Sequence, residues 1–481
     1  MARTTPDIPP APAPAEGRNF HLDASLRDHL DTHSDIVTVI RKPVSVKHIG
    51  ALSAKSETPV LFENIVEKPG YRVLDIMLKH RPLQARALGV SEDDYLKTLA
   101  YRLRQPPRGY NMVTAAPVQE VVKLGDDIDI GELPMSPHSS AAPGPQMGCM
   151  NILRDPETGF YNSMHALTTP TGPDTAVSLF VTPHSMQIIR KYVQMGIDEM
   201  PVAYVIGTPP AWEIMTNFSG LHMDSWGEVD MFGTIMDQDI DMVPAKTIDL
   251  NVPAQAEIVV EGLVNVKDFV DADGGPNPLM YSIPRSIPQP TVKITAITMR
   301  SDRPIYRNFQ TTPETDHQVI PRLCHEAVLY NRLSEMGVHV KDIRFPTWGG
   351  AMSCILQVAD APREGLITDA LMMMMSCPWN NAKLSVAISA DTDIEDPGAV
   401  YHAMATRCDF ETDSFTIGKS RGSAWDPSGR PIPGEVMHRV VGKLAVDATM
   451  KSRFDVSDFE RAWPVGWEDV RLEDYLDEPA S

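Results

Sequence analysis

The feature that most constrains this fold is a change of pattern near Val118. Downstream of it, short runs rich in β-branched residues succeed one another: DTAVSLFVT (174–182), PVAYVIG (201–207), AEIVVEGLV (256–264) and PTVKITAITM (290–299). Pro and Gly turns separate them, which predicts a β-barrel or sandwich-like middle. The flanks differ. LRDHLDTHSDIVTVI (26–40) reads as a helix and then a strand, TPVLFENI (58–65) as a second strand, and QVIPRLCHEAVLYNRLSEMG (318–337) as a helix ending at Gly337. DALMMMMSC, KLSVAISAD and DPGAVYHAMATRC then return to α/β alternation. The expected class is therefore α/β (α+β), divided into a Pro/Ala-rich disordered tail (1–21), an N-terminal α/β segment (22–117), a β-rich middle (118–321) and a C-terminal α/β domain (322–481).

Composition narrows the function. The 481 residues carry a formal charge of −21 with no basic stripe, which makes nucleic acid a poor partner. No stretch approaches a membrane span, and the N-terminus lacks an apolar signal core, so neither membrane insertion nor secretion is expected. Five scattered cysteines without a C-x-x-C pair fit a reducing cytoplasm better than a disulfide framework or zinc site.

No Walker loop, G-x-S-x-G, H-E-x-x-H or G-x-G-x-x-G is present, so any chemistry comes from dispersed residues. Asn162 in YNSMH, His184 in VTPHSMQII and Glu228 in WGEVDMFG stand out in or beside the β-rich middle. An amide oxygen, an imidazole and a carboxylate suit a hard divalent ion. Taken singly, a His after Pro is more often an N-cap or turn residue, and a lone Glu a solvated acid. LMMMMSC (371–377) reads as adaptable core, Trp348 as a buried anchor or a wall beside a flat substrate, and Lys419 as a solvated loop lysine.

Four motifs in order, MNILRDPETGFYN (150–162), VAYVIGTPPAW (202–212), DLNVPAQAEIVVEG (249–262) and WDPSGRP with GKLAVDAT (425–449), resemble the UbiD-type decarboxylases that depend on prenylated FMN. The resemblance runs from about Leu22 to Thr449. It implies a split β-barrel holding the flavin and a C-terminal domain for homo-oligomerisation as dimer or hexamer. It also implies a divalent ion, Mn2+ or Mg2+ with Fe2+ as a third candidate, held by Asn162, His184 and Glu228 against the flavin phosphate, and K+ as a candidate second ion. Thr216, Asn217 and Phe218 fall where the family wraps backbone around the isoalloxazine. A flavin prenyltransferase is the implied supplier of the cofactor.

The chain departs from the family at its acid network. The Arg expected five residues after the metal Asn is Leu167, and the loop that carries two acids in the family reads DFVDADGGPNPLMYS (268–282), with Gly274 and Leu279 at their positions. Replacement proton donors are Asp273 and Asp271, whose D-A-D-G-G context is also that of a tight turn, and His165. The expected activity is reversible, non-oxidative decarboxylation of an aromatic or conjugated acid, free or as an acyl-CoA of the phthaloyl-CoA kind. A catalytically silent flavin-binding paralogue and a flavin-free metal hydrolase are the rivals.

Overall fold

The last barrel strand, Ser286–Met299, pairs with three others, and one of those pairings closes a ring. Around the ring run Thr175–Ser178, Tyr161–Pro170, Met147–Arg154, Glu199–Ile206, Ile258–Asp273 and Ser286–Met299, which returns to Thr175–Ser178 through Ala176 opposite Val292. Every pairing in the ring is antiparallel, and Val121–Leu124 adds on the outside of Ser286–Met299. The computed structural model describes residues 24–139, 142–180, 182–216, 218, 226–273, 286–309, 315–350, 352–360, 363, 365–377, 382–423, 425–433 and 435–475. The tail at 1–21, Asn217, Gly274 and Leu279 lie outside these residues.

Alternation along each strand sorts side chains between two cores. Met147, Cys149, Met164, Ala166, Ala176, Tyr204, Val260 and Ile294 share one core to which all six ring strands contribute, so this face is the barrel interior. Met150, Ile152, Tyr161, Ala203 and Val205 point the other way, into a larger core with Trp212, Phe232 and Leu323. A wall buried on both faces explains why these strands read as continuous apolar runs.

The N-terminal segment forms a sheet ordered Thr38–Ile40, Val60–Phe62, Arg72–Asp75 and Ile305–Arg307. Its fourth strand comes from beyond the barrel and runs parallel to the third, with Arg307 opposite Leu74. The Ile320–Glu335 helix packs on Glu92–Arg102, where Asn331 donates to the Ala100 carbonyl at 2.8 Å. The position 321/322, taken as a domain limit from the sequence, falls at the first turn of that helix.

Beyond it, a mixed sheet runs Val340–Arg344, Ser353–Val358, Leu384–Ser389, Glu435–Ala448, Ser414–Ser423, with Leu366–Ser376 and Pro397–Arg407 as its helices. Leu371, Met374 and Met375 are buried while Met372 is exposed, which is core packing on an amphipathic helix. Lys419 is exposed on the Ser414–Ser423 strand, and Trp348 is 37% exposed. Among the described residues no helix is long and apolar enough to cross a membrane.

Candidate active site

Asn162 lies on the Tyr161–Pro170 strand, His184 in the first turn of the Pro183–Met195 helix, and Glu228 at the start of the short Glu228–Met231 turn. Local sequence sets each position. Thr182 caps the helix by accepting from the Ser185 amide, Pro183 supplies a preset φ at the first helical position, and Gly196 ends the helix at φ 73°. Gly227 is fixed by space: a Cβ there would lie 2.0 Å from the Tyr161 carbonyl oxygen. Only glycine lets the turn lie against the strand, and the next residue then meets Asn162.

The three side chains converge. Asn162 Nδ2 donates to Glu228 Oε2 at 2.7 Å, the Ser163 amide reaches the same oxygen at 3.4 Å, and His184 Nδ1 lies 2.9 Å from Glu228 Oε1. Asn162 and Glu228 are buried, whereas the His184 side chain keeps 16% of its surface. Asn162 Oδ1 is buried with no hydrogen-bond partner among the described residues. A desolvated amide oxygen without a donor is costly, and an ion shared with Glu228 and His184 removes that cost. The donor set therefore fits a divalent ion of the Mg/Mn type, although no group of three His, Cys, Asp or Glu alone converges among the described residues.

Thr216 and Phe218 follow the Pro210–Met215 helix. The Thr216 hydroxyl donates to the Trp212 carbonyl at 3.1 Å and sits 3.5 Å from Met150 Sδ, on the outer face of the barrel wall. Phe218 is buried and stacks on Trp226 with centroids 5.9 Å apart, between the helix and the Glu228 turn.

Leu167 is 6% exposed, so no solvent-facing charge is accommodated at that position. Asp271 is exposed, opposite Pro288 near the end of its strand, and Asp273 ends the same strand with its side chain outside the described residues. His165 is different. It stacks on Phe309 at 4.2 Å and lines an interior cavity of about 10 Å³ with Gly148, Met150, Glu213, Arg307 and Phe309. Burial, and secondarily Arg307 and His317, hold the His165 ring well below the ordinary imidazole range. Burial, with Arg322 adding repulsion, lowers His317 to about 4, and its ring meets Phe309 edge-on at 5.3 Å. These imidazoles are neutral at physiological pH.

Behind the cavity lies a cluster that sequence reasoning missed. Arg307 grips Glu213 with Nε at 3.0 Å and Nη2 at 2.8 Å, and also reaches Asp316 at 2.5 Å and Asp75 at 3.3 Å. The available signal was a charged residue inside an apolar run, Glu213 in PPAWEIM and Arg307 in PIYRNF. Such residues are rarely buried without partners.

The chain also matches known proteins. Residues 111–313 match the 3-octaprenyl-4-hydroxybenzoate carboxy-lyase Rift-related domain, and 318–448 the C-terminal domain of the same family. An anhydromevalonate phosphate decarboxylase of Methanosarcina mazei is 26% identical over 434 residues, covering 88% of this chain and 94% of that protein. A gallate decarboxylase of Lactiplantibacillus plantarum is 25% identical over 288 residues, covering 55% and 56%. The UbiD-class enzyme HmfF of Pelotomaculum thermopropionicum, solved in complex with FMN, superimposes with a TM-score of 0.83 at 26% identity, over 94% of this chain and 100% of that one. With both domain models matched in order and the closed barrel shared, the chain belongs to the UbiD carboxy-lyase family.

Proposed function

We propose that this protein is a non-oxidative decarboxylase of an aromatic or conjugated carboxylic acid, working with prenylated FMN and a divalent ion. The observation that supports it is the convergence of Asn162, His184 and Glu228 around a buried amide oxygen that lacks a partner. Loss of carbon dioxide from an sp² carbon leaves a carbanion that no side chain can delocalise, and the flavin, when bound, supplies the electron sink. The protein's own tasks are then narrower. Asn162, His184 and Glu228 would hold the ion and supply positive charge for the flavin phosphate, Thr216 and Phe218 would bound the ring site, and Leu167 with the Phe309 face would exclude water.

Between a free acid and a CoA thioester, charge favours the free acid. A cleft of about 1680 Å³ between the N-terminal segment and the C-terminal domain has room for a long substrate. Its cations are already engaged: Lys79 with Glu57, Arg81 with Glu326 and Asp342, Arg344 with Glu395, and Lys383 with Asp426. Glu92, Asp93 and Asp396 also line it, so a chain of phosphates would meet net negative charge.

The test is to co-express the protein with a flavin prenyltransferase, then measure carbon dioxide release from matched free acids and their CoA thioesters. Release from free acids supports the reading. Release only from thioesters overturns the charge argument. A flavin- and metal-loaded protein inert toward every acid would be a silent paralogue, and a colourless, flavin-free protein with hydrolase activity would be a different enzyme.

A further inference from the structure

The family's acid network is replaced at Leu167, yet protonation of the product carbon still requires a donor. Glu213, Asp75 and Asp316 crowd one guanidinium, that of Arg307, and all four residues are 3% exposed or less. If every carboxyl were ionised, two negative charges would stand uncompensated in a site sealed from water, which is strongly unfavourable. One proton therefore belongs to the cluster.

Hydrogen bonds indicate where that proton resides. Asp316 accepts from the backbone amides of Met77 at 2.5 Å and Leu78 at 2.9 Å as well as from Arg307. Asp75 accepts from the Ile76 amide at 2.9 Å, Asn308 Nδ2 at 2.7 Å and Arg307. Among the described residues Glu213 accepts from Arg307 alone. Burial, opposed by Arg307 and assisted by Asp316, raises Asp75 to about 6. Burial also raises Glu213, against the pull of Arg307 and with Asp316 and Asp75 adding to the rise. The two groups touch the same guanidinium and share one titration.

Of the three carboxyls, Glu213 lines the cavity that His165 also lines. That cavity has room for one water, and His165 lies on the same strand as Asn162, three residues on and on the opposite face. Among the described residues the other charged or titratable groups facing this site are Arg307, His317 and Cys149, which also lines the cavity, with Cys324 behind the Glu213 helix, its Sγ 3.0 Å from the Ile214 carbonyl.

We propose that the cluster around Arg307 stores the proton that replaces carbon dioxide, and that Glu213 delivers it through the cavity shared with His165. The Glu213 O–H bond breaks as the new C–H bond forms. Carbon dioxide leaves without its bonding pair, no electrons are exchanged with a second reagent, and each turnover is balanced by one proton taken up, ultimately from solvent, at the carboxylate.

This rests on the decarboxylase reading, so the experiment has an arm independent of turnover. Infrared spectra of protein without flavin, with 13C-labelled Glu or Asp, should show a neutral carboxylic acid band at neutral pH that shifts with the label and is altered by Glu213→Gln and by Asp75→Asn. In the loaded enzyme, Glu213→Gln should slow turnover by roughly 10²–10⁴-fold with flavin and metal content unchanged. Absence of a neutral acid band in the wild type, or a loaded Glu213→Gln enzyme within a few-fold of wild type, overturns the proposal. An inactive loaded wild type would count against the decarboxylase reading, and the infrared band then decides this proposal alone.

Discussion

Gly227 and Asp75 illustrate at the residue scale how a site is fixed by what surrounds it. Gly227→Ala would drive a methyl into the Tyr161 carbonyl, so the Glu228 turn must lift away from Asn162. We expect a loss of about 1–3 kcal/mol of stability with a fall in bound flavin and metal, read by thermal unfolding and by cofactor content after gel filtration. Asp75 gives a pH prediction of definite sign. Its folded pKa of about 6 lies above the ordinary carboxyl value of 3.8, so its contribution to stability is fully present below about pH 4 and lost as pH rises through 6. Asp75→Asn removes that loss. Relative to wild type, the variant should gain on the order of 2 kcal/mol between pH 4 and pH 7 in urea unfolding, and an unchanged difference would contradict the buried-acid account. Asn162, His184 and Glu228 are legible as one set through the family resemblance, since singly the local sequence gives His184 and Glu228 plainer readings. Arg307, Glu213, Asp316 and Asp75 are not legible, because only tertiary structure brings residues so far apart in the chain around one guanidinium.

Two elements carry the site at the next scale up. The Pro183–Met195 helix presents His184 from its first turn, where the chain is held by the Thr182 cap. Thr182→Ala should cost about 1 kcal/mol and weaken metal retention more than it lowers the stability of the fold, since fraying of that turn displaces the imidazole first. Metal titration beside denaturant unfolding checks it: equal wild-type and variant metal affinity would contradict the role given to the cap. The second element is Ile305–Arg307, which leaves the barrel and joins the N-terminal sheet beside Arg72–Asp75. The apolar runs of the barrel strands were readable because burial on both faces leaves a plain signature. Ile305–Arg307 was not, because three residues carry no periodicity and parallel pairing to a distant strand leaves no turn signal. Barrel closure, through Ala176 opposite Val292, is likewise a property of register and not of any one segment.

For the whole molecule, the −21 charge sets the long-range field. It should keep the protein from shifting DNA in a gel at physiological salt, since counterion release needs clustered cations. A salt-sensitive shift would contradict that. The architecture places Asn162 on the barrel wall with His184 and Glu228 brought to it by a helix and a turn, and the proton cluster where the barrel, the N-terminal sheet and the Ile320–Glu335 helix approach one another, so flavin binding and proton delivery are separable functions. The measurement that tests the central claim most directly is metal and flavin content of wild type and Asn162→Ala after co-expression with a flavin prenyltransferase. Wild type is predicted to carry one flavin and one divalent ion per chain, and Asn162→Ala to lose both while keeping its fold by circular dichroism. Undiminished flavin and metal in Asn162→Ala would contradict the site.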